Sequence, residues 1–525
     1  MRIHLFRAAA ALTVAVLAAG QLPATAAAGT STARPAVAMT ADGAVRGATA
    51  GGVDRFLGLP YAAPPVRDLR FRPPQPARAW RGVREATTQG PACLQFQPGG
   101  VRETQATSED CLYLDLYRPH GARPGARLPV TLWIHGGAYT QGSGVIYGGQ
   151  TLAARTNSIV VSINYRLGAL GYLALDQLDA ENRATGSGNW ALLDQIAALR
   201  WVRTNVAAFG GDARNVTVAG QSAGGTSVCT LLASPAAAGL FHRAAIQSAF
   251  CEVGERPLAE AQSQGVDFAQ AAGCTDASNR LACLRNAWGP NLVAAFQRVR
   301  TAGPVVGTPA LPRRSAAAIS AGTWNKVPVI VGATAHEGRL FLALTPNITA
   351  ADYQNWLRTT FGEQAGEVAA LYPLSDYPAP FYAQAQALGD RMVYCAADRT
   401  ANLLARQTDV HRYEFDDPHS PTLYGAQPPG IDMSSAHSAE LAYLFDFTVG
   451  DRPVPASSRR LADQMKRYWG SFAKDADPND RGLPRWPDYR RTAQTLILRP
   501  TGPVLSTAVS QNHHCGFWAD QPHPS

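Results

Sequence analysis

Lysine is almost missing from this chain: it occurs only at Lys326, Lys466 and Lys474, and arginine carries nearly all the positive charge. Charged residues of both signs make up 16% of the 525 residues, and no dense basic run gathers them. The formal charge of +8 is thus dispersed, which fits a mildly basic surface and argues against nucleic acid as a partner. Past the N-terminal stretch no apolar segment reaches the ~20 residues of a membrane-spanning helix, so no stable membrane anchor is expected. The cysteines never repeat a Cys-x-x-Cys pair and match no zinc spacing; Cys515 beside His513 and His514 is an isolated cluster near the tail. Neither a metal nor a cofactor is expected. No internal repeat and no long Gly/Ser linker divides the chain. Its length allows several domains, but the missing linkers favour one large one.

What is present begins with a leader. Arg2 and Arg7 flank the start of an apolar stretch over residues 8–20 that is too short for an anchor. Ala24-Thr25-Ala26 and Ala26-Ala27-Ala28 both offer the small-x-small pattern of signal peptidase cleavage. The expectation is a secretory signal peptide over residues 1–28, cleaved near residues 26–28, and a secreted single domain over residues 29–525. Losing Arg2 and Arg7 would lower the formal charge from +8 to +6. Eight cysteines, Cys93, Cys111, Cys229, Cys251, Cys274, Cys283, Cys395 and Cys515, suit an oxidising compartment and read as disulfides.

Along the chain, apolar runs alternate with helical spacing. Residues 128–134 and 158–164 are continuous apolar runs of the kind buried on both faces of a sheet. Residues 191–208 have helical spacing, residues 215–219 form a β-branched run, and residues 243–248 and 327–332 read as further strands. Alternation of this kind predicts an α/β fold with a large, mostly parallel central sheet flanked by helices.

Chemistry is concentrated at Gly220-Gln221-Ser222-Ala223-Gly224, which lies between the strand at 215–219 and a helical pattern over 225–232. A Gly-x-Ser-x-Gly at a strand-to-helix turn is a nucleophile elbow: the glycines let the backbone crowd a strained turn, and the serine hydroxyl projects from it. The pentapeptide alone is a weak signal, since glycine and serine are common. A serine nucleophile also needs a base, a group to orient that base, and donors for an oxyanion. His135-Gly136-Gly137-Ala138 follows a strand and offers bare amides. His411, His419, His437, His513 and His514 lie far enough along the chain to serve as base. His437, in the small-residue loop Ser434-Ser435-Ala436-His437-Ser438, suits a base at a loop tip, whereas His419 lies in what reads as a surface turn. Glu337 stands just past the strand at 327–332 in a glycine-bounded loop and suits the acid.

Together these segments resemble the type B carboxylesterase and cholinesterase family over nearly the whole mature chain. The resemblance rests on residues 56–62, Ser108-Glu109-Asp110-Cys111-Leu112-Tyr113-Leu114, His135-Gly136-Gly137-Ala138, Asn164-Tyr165-Arg166-Leu167-Gly168, the elbow, Ala335-His336-Glu337-Gly338, His437-Ser438-Ala439-Glu440 and Trp486-Pro487-Asp488-Tyr489. It implies the α/β-hydrolase fold and a small-molecule carboxylic ester as substrate. It implies Ser222 as nucleophile, Glu337 as acid, His437 as base, and an oxyanion hole from the amides of Gly137, Ala138 and Ala223. It also implies bridges Cys93–Cys111, Cys274–Cys283 and Cys395–Cys515, and buried ion pairs Arg70–Glu109 and Arg166–Asp194. Cys229 and Cys251 have no partner in that scheme and are either free thiols or a fourth bridge, the bridge being favoured by export.

The chain departs from the family pattern at Gln221, where glutamate is usual, and so lacks a negative charge beside the nucleophile. The loop between Cys93 and Cys111 is short and holds no tryptophan. That speaks against choline esters, whose cation is recognised on an aromatic face. Two alternatives stand beside the esterase reading: a lipase for long-chain glycerides, with the 93–111 loop as a lid, and a non-catalytic adhesion module. Of the sequons Asn215-Val216-Thr217 and Asn347-Ile348-Thr349, the first falls in a strand expected to be buried. Nothing in the residues specifies an oligomeric state.

Overall fold

Strand-forming runs assemble into one mixed sheet of eleven strands in a computed structural model, which describes residues 36–96, 106–252, 254–300, 302–422, 427–447 and 453–521. The expected leader, and residues 97–105 of the expected lid, lie outside the described residues. In chain order the strands are β1 (Ala48–Ala50), β2 (Val53–Pro60), β3 (Tyr113–Pro119), β4 (Leu128–Ile134), β5 (Ile159–Ile163), β6 (Gly211–Gln221), β7 (Arg243–Gln247), β8 (Val329–Thr334), β9 (Val410–Phe415), β10 (Thr495–Leu498) and β11 (Val504–Ser506). Across the sheet they run β11-β10-β9-β8-β7-β6-β4-β5-β3-β2-β1. The stretch from β10 to β5 is parallel throughout. Both margins are antiparallel, β11 at one end and β3, β2 and β1 at the other. The sheet is therefore parallel at its centre and mixed overall.

The continuous apolar runs become central strands because both of their faces are covered. Side chains alternate between two cores: Leu132 and Ile134, Val161 and Ile163, Val216 and Val218, and Val329 and Val331 enter one. Trp133, Val160, Ala219 and Ile330 enter the other. Helices α1 (Trp190–Asn205) and α2 (Ala223–Ala233) close the first core with Trp190, Ile196, Leu199, Val228 and Leu231. Further along the chain come α3 (Gly338–Phe341), α4 (Pro380–Gly389), α5 (Cys395–Ala405), α6 (Leu441–Leu444) and α7 (Arg459–Asp475). Of these, α7 covers the second core with Leu461, Met465, Tyr468, Trp469 and Phe472. The result is helix, sheet, helix.

The expected strand at 215–219 proves longer, running Gly211–Gln221, and Gly211 pairs with Leu128 of β4 across an irregularity between Gly211 and Val216. The expected helix at 191–208 ends at Asn205 and tightens into a 3-10 turn, Val206–Phe209. The eight cysteines form four bridges, Cys93–Cys111, Cys229–Cys251, Cys274–Cys283 and Cys395–Cys515. Arg166 grips Asp194 with two hydrogen bonds of 2.8 and 2.7 Å. Arg70 does the same with Glu109 at 2.7 and 2.6 Å, and its free nitrogen caps the carbonyls of Leu284, Arg285 and Ala287. Asn215 is half-exposed rather than buried, and its amide binds the Lys474 carbonyl and the Arg243 guanidinium. Asn347 is exposed. Among the described residues no helix is long and apolar enough to cross a membrane.

Candidate active site

β4 lies between β5 and β6, so the direction in which strands are added to the sheet reverses there. The carboxyl ends of strands at such a switch point open a crevice suited to a ligand. Ser222 follows the last residue of β6 and precedes the first of α2. It holds φ 57° and ψ −129°, a strained conformation for a residue with a Cβ. Bonds on both sides hold it there: its N–H donates to the Gln247 carbonyl at 2.9 Å, and its carbonyl accepts from Thr226 at 2.9 Å. The elbow glycines serve close approach. A Cβ on Gly220 would sit 2.4 Å from the Gly224 backbone, and one on Gly224 would sit 2.1 Å from the Ile134 carbonyl oxygen. The first turn of α2 therefore rests directly on the end of β4.

That contact brings the glycine loop to the serine. A Cβ on Gly136 would lie 3.1 Å from Ser222 Cβ. Gly137 has φ 108°, and Ala138 and Tyr139 follow with φ 52° and 61°. The Gly137 carbonyl closes the turn by accepting from Thr140 at 3.0 Å and Gln141 at 3.1 Å. No hydrogen bond among the described residues uses the N–H of Gly137 or Ala138. Ala223 opens α2, so its N–H has no intrahelical partner. His135 braces the loop from behind: its Nδ1 lies 2.8 Å from the Gly136 carbonyl, and its ring stacks on Tyr165 at 4.3 Å. Burial pulls this imidazole down to about 4, so it is neutral in ordinary buffers.

Glu337 sits just past β8, 2% exposed. One carboxylate oxygen accepts from the Thr334 N–H at 2.7 Å, and the other lies 2.5 Å from His437 Nδ1. The loop carrying His437 is tied to its neighbours: Ser435 accepts from the His336 N–H at 3.0 Å and donates its hydroxyl to the Asp417 carbonyl at 3.0 Å. Arg339 bonds the Ser434 carbonyl at 2.9 Å and Asp432 at 2.8 Å. The structure thus joins Glu337 to His437 and sets the glycine loop against Ser222. The hydrogen bonds of the described residues do not include one from Ser222 Oγ to His437. His437 Nε2 instead lies 3.1 Å from the side-chain amide nitrogen of Gln221.

The other candidate histidines are placed elsewhere. His411 is buried on β9 against Trp486 and Phe472. His419 is exposed. His513 lies between Asp390 at 2.5 Å and Glu414 at 2.9 Å, and His514 packs edge-on against Tyr372. Two neighbours of the site escaped the reading of the sequence. Phe341 is 41% exposed and lies 5.1 Å from the His437 ring. Glu440 is fully buried, with one oxygen accepting from Gln247 at 3.3 Å. Burial and then the Glu337 carboxylate push it up to about 7. Its place in the segment after His437 was the only hint. No group of His, Cys, Asp and Glu able to hold a metal occurs among the described residues.

Comparison with known proteins matches nearly the whole chain. The model of the carboxylesterase family matches residues 34–518. The cocaine esterase of Homo sapiens is 34% identical over 507 residues, 90% of this chain and 88% of its own. The fumonisin B1 esterase of Sphingopyxis macrogoltabida is 34% identical over 489 residues, 87% of this chain and 85% of its own. The crystal structure of a carboxylesterase from Geobacillus stearothermophilus superimposes with a TM-score of 0.76 at 32% identity, covering 91% of this chain and 99% of that one.

Proposed function

The chain belongs to the carboxylesterase family, and from that membership we propose that it cleaves carboxylic esters through an acyl-enzyme on Ser222. The observation that carries this reading is the buried Glu337–His437 pair, with the other imidazole nitrogen against Gln221 of the elbow. Glu337 accepts from Nδ1 and leaves Nε2 as the basic lone pair. Nε2 takes the Ser222 proton as Oγ attacks the ester carbonyl. The amides of Gly137, Ala138 and Ala223 receive the oxyanion, a task that favours backbone donors already fixed by a turn and a helix start. His437 then protonates the departing alcohol, and water repeats the sequence to free the acid and the serine. Glu337 keeps the ring oriented and stabilises its cation in the transition states.

The substrate class is a small, uncharged ester. Gln221 places no anion beside the nucleophile, which lowers the attraction for a cationic alcohol. The relatives named as esterases of cocaine and of fumonisin B1 support a small-molecule ester as the substrate. Four disulfides support export to an oxidising compartment, with the leader over residues 1–28 removed and residues 29–525 forming the mature domain. Ser222→Ala tests the chemistry: activity on a simple short-chain ester should fall at least about a thousandfold. Retained turnover in a clean preparation overturns the assignment. An organophosphonate adduct on Ser222 separates an enzyme from a non-catalytic adhesion module, which would form none.

A further inference from the structure

The lone pair that has to accept the serine proton already has a neighbour. With Glu337 Oε2 at 2.5 Å from Nδ1, the neutral His437 ring carries its proton on Nδ1, and Nε2 is an acceptor. The atom against it, at 3.1 Å, is the amide nitrogen of Gln221, which donates. Gln221 is 1% exposed and is the last residue of β6, immediately before Ser222. Its amide is boxed in: a Cβ on Gly136 would lie 3.1 Å from Gln221 Oε1, so the oxyanion loop closes on it from the other side. The amide of Gln221 therefore holds the acceptor that the proposed mechanism assigns to the adjacent Ser222 hydroxyl.

We infer that Gln221 is a positioning residue that latches His437 in its neutral, Nδ1-protonated form until Ser222 engages it, and that it thereby sets the acid limb of activity. The inference rests on the functional reading above. Protonating Nε2 would turn an N–H against the Gln221 N–H, so the latch opposes the imidazolium in the resting enzyme. The charged groups around the ring act the other way. Glu337 contacts it from the end of β8, and Glu440 lies behind it in the same segment. Arg339 binds the loop at Ser434, but Asp432 pairs with its guanidinium. Phe341 covers one side of the ring without a charge. Taking away the Gln221 donor leaves the Glu337 carboxylate to favour protonation.

The test is the pH dependence of kcat/KM for the full chain, its Gln221→Leu variant and its Gln221→Glu variant, with active sites counted by organophosphonate titration. The acid limb should move up by about half to one pH unit in the leucine variant, the size of one hydrogen bond. It should move further in the glutamate variant, where an anion faces the ring. An acid limb that stays in place or moves down in Gln221→Leu overturns the inference. If that variant does not fold, the near-isosteric Gln221→Glu decides alone, and an unmoved limb in it overturns the inference equally. A parent enzyme that forms no adduct at Ser222 would overturn the functional reading instead, so the two failures are distinguishable.

Discussion

Glu337 shows how much a single side chain carries at this site. One oxygen is held by the Thr334 N–H, so the other can point only at His437. Glu337→Gln keeps the shape but replaces the acceptor facing Nδ1, which favours the wrong tautomer. Its kcat should fall by about three to four orders of magnitude near neutral pH, while active-site titration still counts intact protein. The identities of Ser222, Glu337 and His437 were legible because each stands in a short pattern of small residues beside a strand or helix signal. Gln221 was legible only as a departure from the family pattern. Its contact with His437 joins positions far apart in the chain, and no local pattern encodes that distance. Glu440 was hidden for the same reason: a glutamate in a loop reads as solvated until the second core closes over it.

Two elements hold the elbow in place. β4 and α2 touch through glycine, and the Cys229–Cys251 bridge ties α2 to the segment after β7. Replacing both cysteines by alanine should lower stability by about 3 kcal/mol, the chain-entropy value for a loop of this size, read as a shift in the urea midpoint. The bridge ties one elbow element to its neighbour, so thermal inactivation should quicken in step with unfolding. A second clamp lies beyond Glu337. The π-helical turn Asp390–Tyr394, between α4 and α5, presents Asp390 to His513. Gln386 links that pair to the Ala335 carbonyl and to His336, the residue before Glu337. Strand and helix runs were readable from periodicity, but their ends were not. β6 gained residues at both ends from pairing with β4 and β7, and the C-terminal end of α1 tightened against the glycine that follows.

At the scale of the molecule, buried titrating groups set how the fold responds to pH. Burial alone would pull His513 down, but Asp390 and Glu414 outweigh it and raise it to about 10. In the unfolded chain a histidine titrates near ~6.5. The stabilisation from this cluster is therefore whole below that value and is lost as pH climbs through 10. Glu440, raised to about 7 from 4.5, keeps its proton longer in the fold than out of it, so stability also falls as pH rises between those values. The contribution of these two groups to the unfolding midpoint should decline from pH 5 to pH 10. His513→Gln should flatten the alkaline part, and Glu440→Gln should raise stability at pH 8 but not at pH 4. The chain by itself determined the class of fold, and it carried the proposed nucleophile, its two proposed partners and the proposed oxyanion loop. Strand alternation, glycine spacing and the order of motifs are local properties of the polymer. Tertiary structure alone decided which face each buried carboxylate meets, that Cys229 pairs with Cys251, that the sheet turns antiparallel at its margins, and that His437 rests on Gln221. Those outcomes depend on distances between segments remote in the chain, and only the closing of two cores around one sheet sets them.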